Sequence, residues 1–253
     1  MSITKIGSFS WMQMTNGHLK AKEKIKLANT IIIPSVMGII RTQLKSENHI
    51  EDNIALDNIK VPDSKIIVEA IKELDGNADT AIINHSWRTY FWGAALGHIH
   101  NREYDPEVLL VSSLFHDLGL TDAYRKTKGC KCFTYESAIQ FEKKAQEISY
   151  DEQKSIKVKD AICMHMNGFI DENNEPEIIL LQQGASCDVI GDKLYTIPKD
   201  FRNELLRKYP RENFNKIFKG LLAEENKSVK ESRTNFLSKL GLTMMISMNP
   251  DKD

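Results

Sequence analysis

The chain has 253 residues, enough to bury a sizeable core. Its 34 basic and 35 acidic side chains leave a formal net charge of −1, which removes any electrostatic case for nucleic acid or an anionic membrane surface as a partner. Four cysteines in a chain of this length do not make a disulfide scaffold, and no stretch approaches the roughly 20 apolar residues that span a bilayer, so a reducing, cytoplasmic setting is the default expectation.

In chain order, residues 1–61 are the least legible part. Lys20 to Leu27 is a basic, helix-friendly stretch and reads as a solvated helix face. The apolar run Ile31 to Ile40 is short, contains Pro34 and Ser35, and lacks a small-residue cleavage site, which argues against a signal peptide. Lys45 to Lys60 is polar and Asn-rich and reads as a loop. From Pro62 the periodicity is helical. Ile66, Ile67, Ala70, Ile71 and Leu74 share one face, and Asp75, Gly76 and Asn77 end that helix. Asp79 precedes a long apolar segment that runs to about His100. Asp105 reads as an N-cap before Pro106, opening a helix that ends at Gly119. Further helices are expected over 133–148, 151–165, 176–190, 198–208, 211–222 and 228–245. No alternating strand pattern is present, so the expected class is all-α.

Chemistry concentrates in Leu114-Phe115-His116-Asp117-Leu118-Gly119, a His-Asp pair at the end of an apolar helix. Burying both side chains is costly without partners, and a divalent cation satisfies both. Adjacent helical residues point about 100° apart, so the two converge on one ion only at a favourable place such as a helix end. Alone the pair is common, and a hydrogen-bonded pair needs no metal. Three more polar residues stand in apolar surroundings on other helices: His85, His165 and Asp188. Facing helices of a bundle build a core site in this way. The bland alternatives are a carbonyl-bonded histidine for His85 and a helix-polar residue for Asp188. His18, His49, His98 and His100 read as surface or structural, and Cys130, Cys132, Cys163 and Cys187 as packing. Trp87, Tyr90, Phe91 and Trp92 read mainly as core, and Arg125, Lys126 and Lys128 as a solvated loop placed where a lid or anion contact could form.

The order His, His-Asp, Asp resembles the HD-domain superfamily of metal-dependent hydrolases. Asn84-His85-Ser86-Trp87-Arg88-Thr89-Tyr90 resembles the segment around the first metal histidine in cyanamide hydratase-like HD proteins. Residues 114–120, 133–138 and 184–191 and the late Tyr209-Pro210-Arg211 resemble the same branch, over about residues 62–220. One departure stands out: Thr134 follows Phe133 where an acidic residue is common, with Glu136 retained two positions later.

The resemblance implies an HD-type helical bundle over 62–253 with a metal site in its core, preceded by an extension, 1–61, that is partly helical or loop. It makes His85, His116, Asp117 and Asp188 the metal ligands, and puts His165 in the place of a further active-site histidine. His165 and Asp117 are the candidate catalytic residues, and Thr121, Lys126 and Glu136 the candidate substrate contacts. The expected cofactor is one divalent ion, zinc or iron first, with manganese, cobalt or nickel also compatible with mixed His/Asp ligands. The expected partner is a small molecule, and residues 1–61 stand as a cover over the pocket or a surface for homo-oligomer formation. Three functions compete. The first is hydration of a small nitrile such as cyanamide to urea. The second is phosphoester hydrolysis, for which Arg88, Arg125, Lys126 or Lys128 should face the metal. The third is a non-catalytic ligand-binding module.

Overall fold

The computed structural model describes residues 5–30, 54–126, 129, 131–168 and 170–251. The apolar run at 31–40, His49, Lys128 and Cys130, and most of the expected 45–60 loop, lie outside these residues. Among the described residues all regular elements are helical, and one isolated bridge joins His18 to Ser232. No helix among them is long and apolar enough to cross a membrane.

The bundle is organised around α5 (Pro106–Phe115), whose residues Val108 to Phe115 are all buried. Such a helix has no polar face and must be surrounded. Around it lie α3 (Lys65–Asn77), α4 (Thr80–Ile99), α7 (Phe133–Glu147), α8 (Glu152–Met164) and α9 (Pro176–Ile190). The closest pair is α4 with α9. Gly184 of α9 meets the backbone of Thr89 and Gly93 on α4, so a Cβ at 184 would collide with the Thr89 carbonyl. The small-residue segment of α9 therefore brings Asp188 to within reach of the α4 side chains.

Local chemistry starts these helices as the sequence suggests. Asp105 accepts from the amides of Glu107 and Val108 ahead of Pro106, and Asp151 accepts from Lys154. Several ends differ from expectation. Helix α5 stops at Phe115, not Gly119, and a 3₁₀ turn follows at Leu118–Leu120. Helix α8 stops at Met164, before a 3₁₀ turn at His165–Asn167. The expected helix 211–222 is instead α11 (Phe214–Ser228), because Glu212 and Asn213 adopt left-handed backbone. The expected 228–245 helix is split into α12 (Arg233–Lys239) and α13 (Leu242–Ser247), with Gly241 at φ +103° between them.

The N-terminal part is tied to this frame. It holds α1 (Phe9–Thr15) and α2 (residues 21–30). The Phe9 amide donates to Asp160 of α8 at 2.7 Å, and Asn167 donates to the Ile6 carbonyl at 2.8 Å. The Cys132 amide donates to the Asn16 carbonyl at 2.9 Å. A short α6 (Asp122–Arg125) follows the 118–120 turn, and α10 (Lys199–Lys208) leads into the Tyr209-Pro210-Arg211 segment.

Candidate metal centre

Helices α5 and α8 end by the same device. His116 follows the last residue of α5, and its Nδ1 lies 2.7 Å from the Ser113 carbonyl, three residues back. His165 follows the last residue of α8, and its Nδ1 lies 2.7 Å from the Ile162 carbonyl. Each carbonyl belongs to a last turn and lacks a helical donor. Because a carbonyl only accepts, each Nδ1 must carry the proton, which leaves a lone pair on each Nε2. The end of α5 also resolves the direction problem at residues 116 and 117. Asp117 leaves the helix with φ −109° and ψ 2°, so its carboxylate turns back towards the His116 ring.

His85 sits mid-helix on α4 and takes its orientation from the other side. Its Nδ1 lies 2.7 Å from Asp188 Oδ2. An ionised carboxylate also only accepts, so His85 too presents a lone pair at Nε2. Asp188 is itself clamped. Arg88 Nε donates to Oδ1 at 2.7 Å and Arg88 Nη2 to Oδ2 at 2.8 Å, a two-pronged contact, and Trp92 Nε1 adds 3.0 Å to Oδ1. Arg88 continues through Nη1 to the carbonyls of Tyr209 and Pro210, at 3.1 and 2.9 Å, while Asn84 reaches the Pro210 carbonyl at 2.9 Å. Phe214 of α11 stacks on His85 with ring centroids 4.4 Å apart. The Tyr-Pro-Arg segment therefore backs the histidine rather than lining its open side.

The free nitrogens converge. His85 Nε2 and His116 Nε2 lie 3.1 Å apart, and each lies 3.3 Å from Asp117 Oδ2. His165 Nε2 lies 3.5 Å from Asp117 Oδ1. Neither oxygen of Asp117 has a hydrogen-bond partner of acceptable geometry. His85 and His116 are 0 % exposed and Asp117 1 %, so bulk solvent does not reach them. Four acceptors facing one another in the interior repel unless something positive lies among them, and an unsatisfied buried polar group costs roughly 2–7 kcal/mol. The C-terminal ends of α5 and α8, negative ends of helix dipoles, point at the same place. The donor set thus fits a divalent cation, with His85, His116 and Asp117 as the three groups able to hold it.

The titration shifts do not all run one way: burial opposes charging of His85, but Asp117 and Asp188 outweigh it and raise its pKa, whereas His116 is pushed down. Burial drives the His116 pKa down to about 3, against the pull of Asp117, and so keeps the ring neutral. Burial opposes ionisation of Asp117, but the surrounding histidines outweigh it and hold the carboxyl well below its usual range. Asp188 is likewise held well below its usual range, where Arg88 and His85 overcome its burial.

Three of the four expected ligands are thus grouped, and the fourth, Asp188, stands one hydrogen bond behind His85, on the Nδ1 side of its ring. The reason is Arg88, whose fork occupies both Asp188 oxygens. His165 joins the cluster as its least buried member, at 6 % exposure. The expected substrate contacts do not gather there. Thr121 donates to the Leu118 carbonyl at 2.8 Å, Lys126 is exposed, and Glu136 accepts from Gln140 at 2.6 Å. Thr134 is buried and accepts from Arg233 at 3.1 Å. Cys132, Cys163 and Cys187 are buried and free, and His98 and His100 are exposed. Two of the four basic residues expected to face a phosphate face carboxylates instead: Arg88 meets Asp188, and Arg125 meets Asp122 and Glu224. Sequence reasoning missed the structural roles of Arg88, Trp92 and Phe214. The i, i+3 spacing of His85 and Arg88 and the i, i+4 spacing of Arg88 and Trp92 are the signals that place them on one face.

Residues 82–190 match the family model of the HD domain, a segment that contains all five of His85, His116, Asp117, His165 and Asp188. That segment, less than half of the chain, is thus similar to the HD domain. No curated protein matches the chain.

Proposed function

We propose that this protein is a metal-dependent enzyme that activates water against a small uncharged substrate, and that the reaction is hydration of a nitrile such as cyanamide to urea. The observation that carries the metal part is the convergence of three imidazole lone pairs on the unpartnered carboxylate of Asp117. Three protein donors are also the number that leaves a coordination position free, as a catalytic site requires. When bound, a divalent ion supplies Lewis acidity that makes water nucleophilic near neutral pH. Zinc and iron both suit two imidazoles and a carboxylate.

The chain's own residues do the rest. Asp188 holds His85 in the tautomer that offers Nε2, a carboxylate–histidine arrangement that also raises the basicity of the ring. The Ser113 carbonyl does the same for His116. In this reading His165, the most accessible of the group, takes a proton from the attacking water and returns it to the nitrile nitrogen; its exposure and its 3.5 Å distance from Asp117 support that role. The balance runs in two stages: water oxygen bonds to the nitrile carbon as one carbon–nitrogen π bond opens and one proton goes to nitrogen, and then the second carbon–nitrogen π bond gives way to a carbon–oxygen π bond as the hydroxyl proton moves to the same nitrogen. A neutral substrate is favoured because Arg88 and Arg125, two of the cations a phosphoester would need, are paired with acidic side chains.

The test is urea formation from cyanamide by purified protein supplied in turn with zinc, iron, manganese, cobalt and nickel. Turnover should appear with at least one metal and be absent in His116→Ala. No urea above the variant's background with any metal sinks the nitrile assignment, and release of phosphate from a nucleotide panel would replace it with phosphoester hydrolysis.

A further inference from the structure

The carbonyl of Asp188 lies in the last turn of α9, where helical donors run out. The Gly191 amide bonds the Cys187 carbonyl and the Asp192 amide bonds that of Ser186, so neither reaches Asp188. Two donors from distant parts of the chain take their place. Arg211 Nη1 reaches the carbonyl at 3.1 Å, and Asn249 Nδ2 reaches it at 2.8 Å. Asn249 is 1 % exposed although it lies near the end of the chain.

The segment that carries Asn249 is built to aim its amide. The Asp251 amide donates to Asn249 Oδ1 at 2.9 Å, which turns Nδ2 towards Asp188. Asp251 is in turn held by Arg202 of α10 at 2.9 Å. Between them Pro250 lies against Gly191, which has φ +75°; a Cβ at 191 would strike the proline ring. Helix terminus, proline and side-chain amide thus form one closed fit that ties the 249–251 segment, outside residues 82–190, to the end of α9.

We infer that Asn249-Pro250-Asp251 is a latch on the metal centre, with Asn249 a positioning residue that fixes the last turn of α9 and so the contact of Asp188 with His85 Nδ1. The inference rests on the reading of His85, His116 and Asp117 as the metal-holding group. Loss of the latch lets Asp188 drift from His85, and the imidazole loses the partner that sets its tautomer and basicity. Removing such outer partners typically lowers metal affinity by about 10–100-fold.

The experiment compares zinc affinity by chelator competition in the full-length protein and in Asn249→Ala, Asn249→Asp and Arg202→Ala. Asn249→Asp keeps the size of the side chain and removes the donor. Ser247→Ala is the control, since it breaks only the exposed contacts of Ser247 with Lys219 and the Thr243 carbonyl on the same segment. The expected result is about a tenfold loss for Asn249→Ala, a larger loss for Asn249→Asp, a smaller one for Arg202→Ala and none for the control. In the metal-free proteins, the Nδ1 proton of His85, followed by nitrogen-resolved NMR, should exchange faster in both Asn249 variants. Wild-type zinc affinity per folded molecule in both Asn249 variants, with an unchanged His85 proton, overturns the latch even if melting temperatures fall. If the wild type takes none of zinc, iron, manganese, cobalt and nickel, the metal reading fails, and the His85 proton alone then decides the latch.

Discussion

The two ends of α5 carry acidic residues in opposite circumstances. At the N-terminal end Asp105 caps the helix, and Lys154 Nζ lies 2.9 Å from Asp105 and 3.0 Å from Glu107. Tyr150 adds a hydrogen bond to Glu107, and Glu177 takes the Asp105 amide. Negative charge at a helix N-terminus is favourable, and each carboxylate here has donors. At the C-terminal end Asp117 stands against the helix dipole, is 1 % exposed, and meets only imidazole lone pairs. At the first end each carboxylate has a donor within the chain, with Glu177 Oε2 left unbonded. The second lacks such donors and is suited to a cation, which separates the two clusters more sharply than burial or residue type does.

The strongest way to break that contrast is Asp117→Asn. The amide brings two donors into the set of acceptors, so the metal-free protein should melt at a higher temperature than the wild type. Zinc content should drop from about one per chain to near zero, and turnover to background. Elemental analysis beside a melting curve checks it, and retention of zinc at wild-type affinity would show that the cluster is not the binding site.

Next in size is Arg88→Met, which removes the fork from the buried Asp188 carboxylate. Breaking a buried ion pair from one side costs about 3–5 kcal/mol, read by denaturant unfolding of the metal-free protein. A loss under about 1 kcal/mol would mean that Trp92 and His85 suffice to hold Asp188.

The smallest effect belongs to the paired end. Lys154→Met should cost under about 1 kcal/mol, because the cluster is partly exposed and screened by solvent. Burial alone would raise the Asp105 and Glu107 pKa values, but Lys154 and neighbouring donors hold both below their ordinary values. Folded-state pKa values that are depressed contribute stability above the unfolded values, near pH 4, and lose it as pH falls through the folded ones. The gap between wild type and Lys154→Met should therefore be steady at neutral pH and close on acidification. A gap that widens in acid contradicts the assignment.

How much of this was legible beforehand differs by element. The all-α class, the Asp105-Pro106 start of α5 and the apolar faces of α3 and α4 follow from periodicity and capping, which are local. The ends of α5 and α8 were read a few residues long or as uninterrupted. What stops them is hydrogen bonding of His116 and His165 to their own last turns, and a residue type does not announce which group it will bond. The membership of His85, His116, Asp117, His165 and Asp188 in one segment was legible from residue order and flanking motifs. Their division into converging lone pairs and an outer carboxylate was not.

By itself the sequence determined which residues bring the chemistry: polar side chains set in apolar helices, each too costly to bury alone. Only the tertiary structure decided what each one does. Arg88 holds Asp188 against His85 Nδ1, and Asn249 bonds the end of α9 from 61 residues away. Pairing energy depends on distance and orientation, and these are set where α4, α9, the 209–211 segment and the C-terminal latch meet, not along any one stretch of chain.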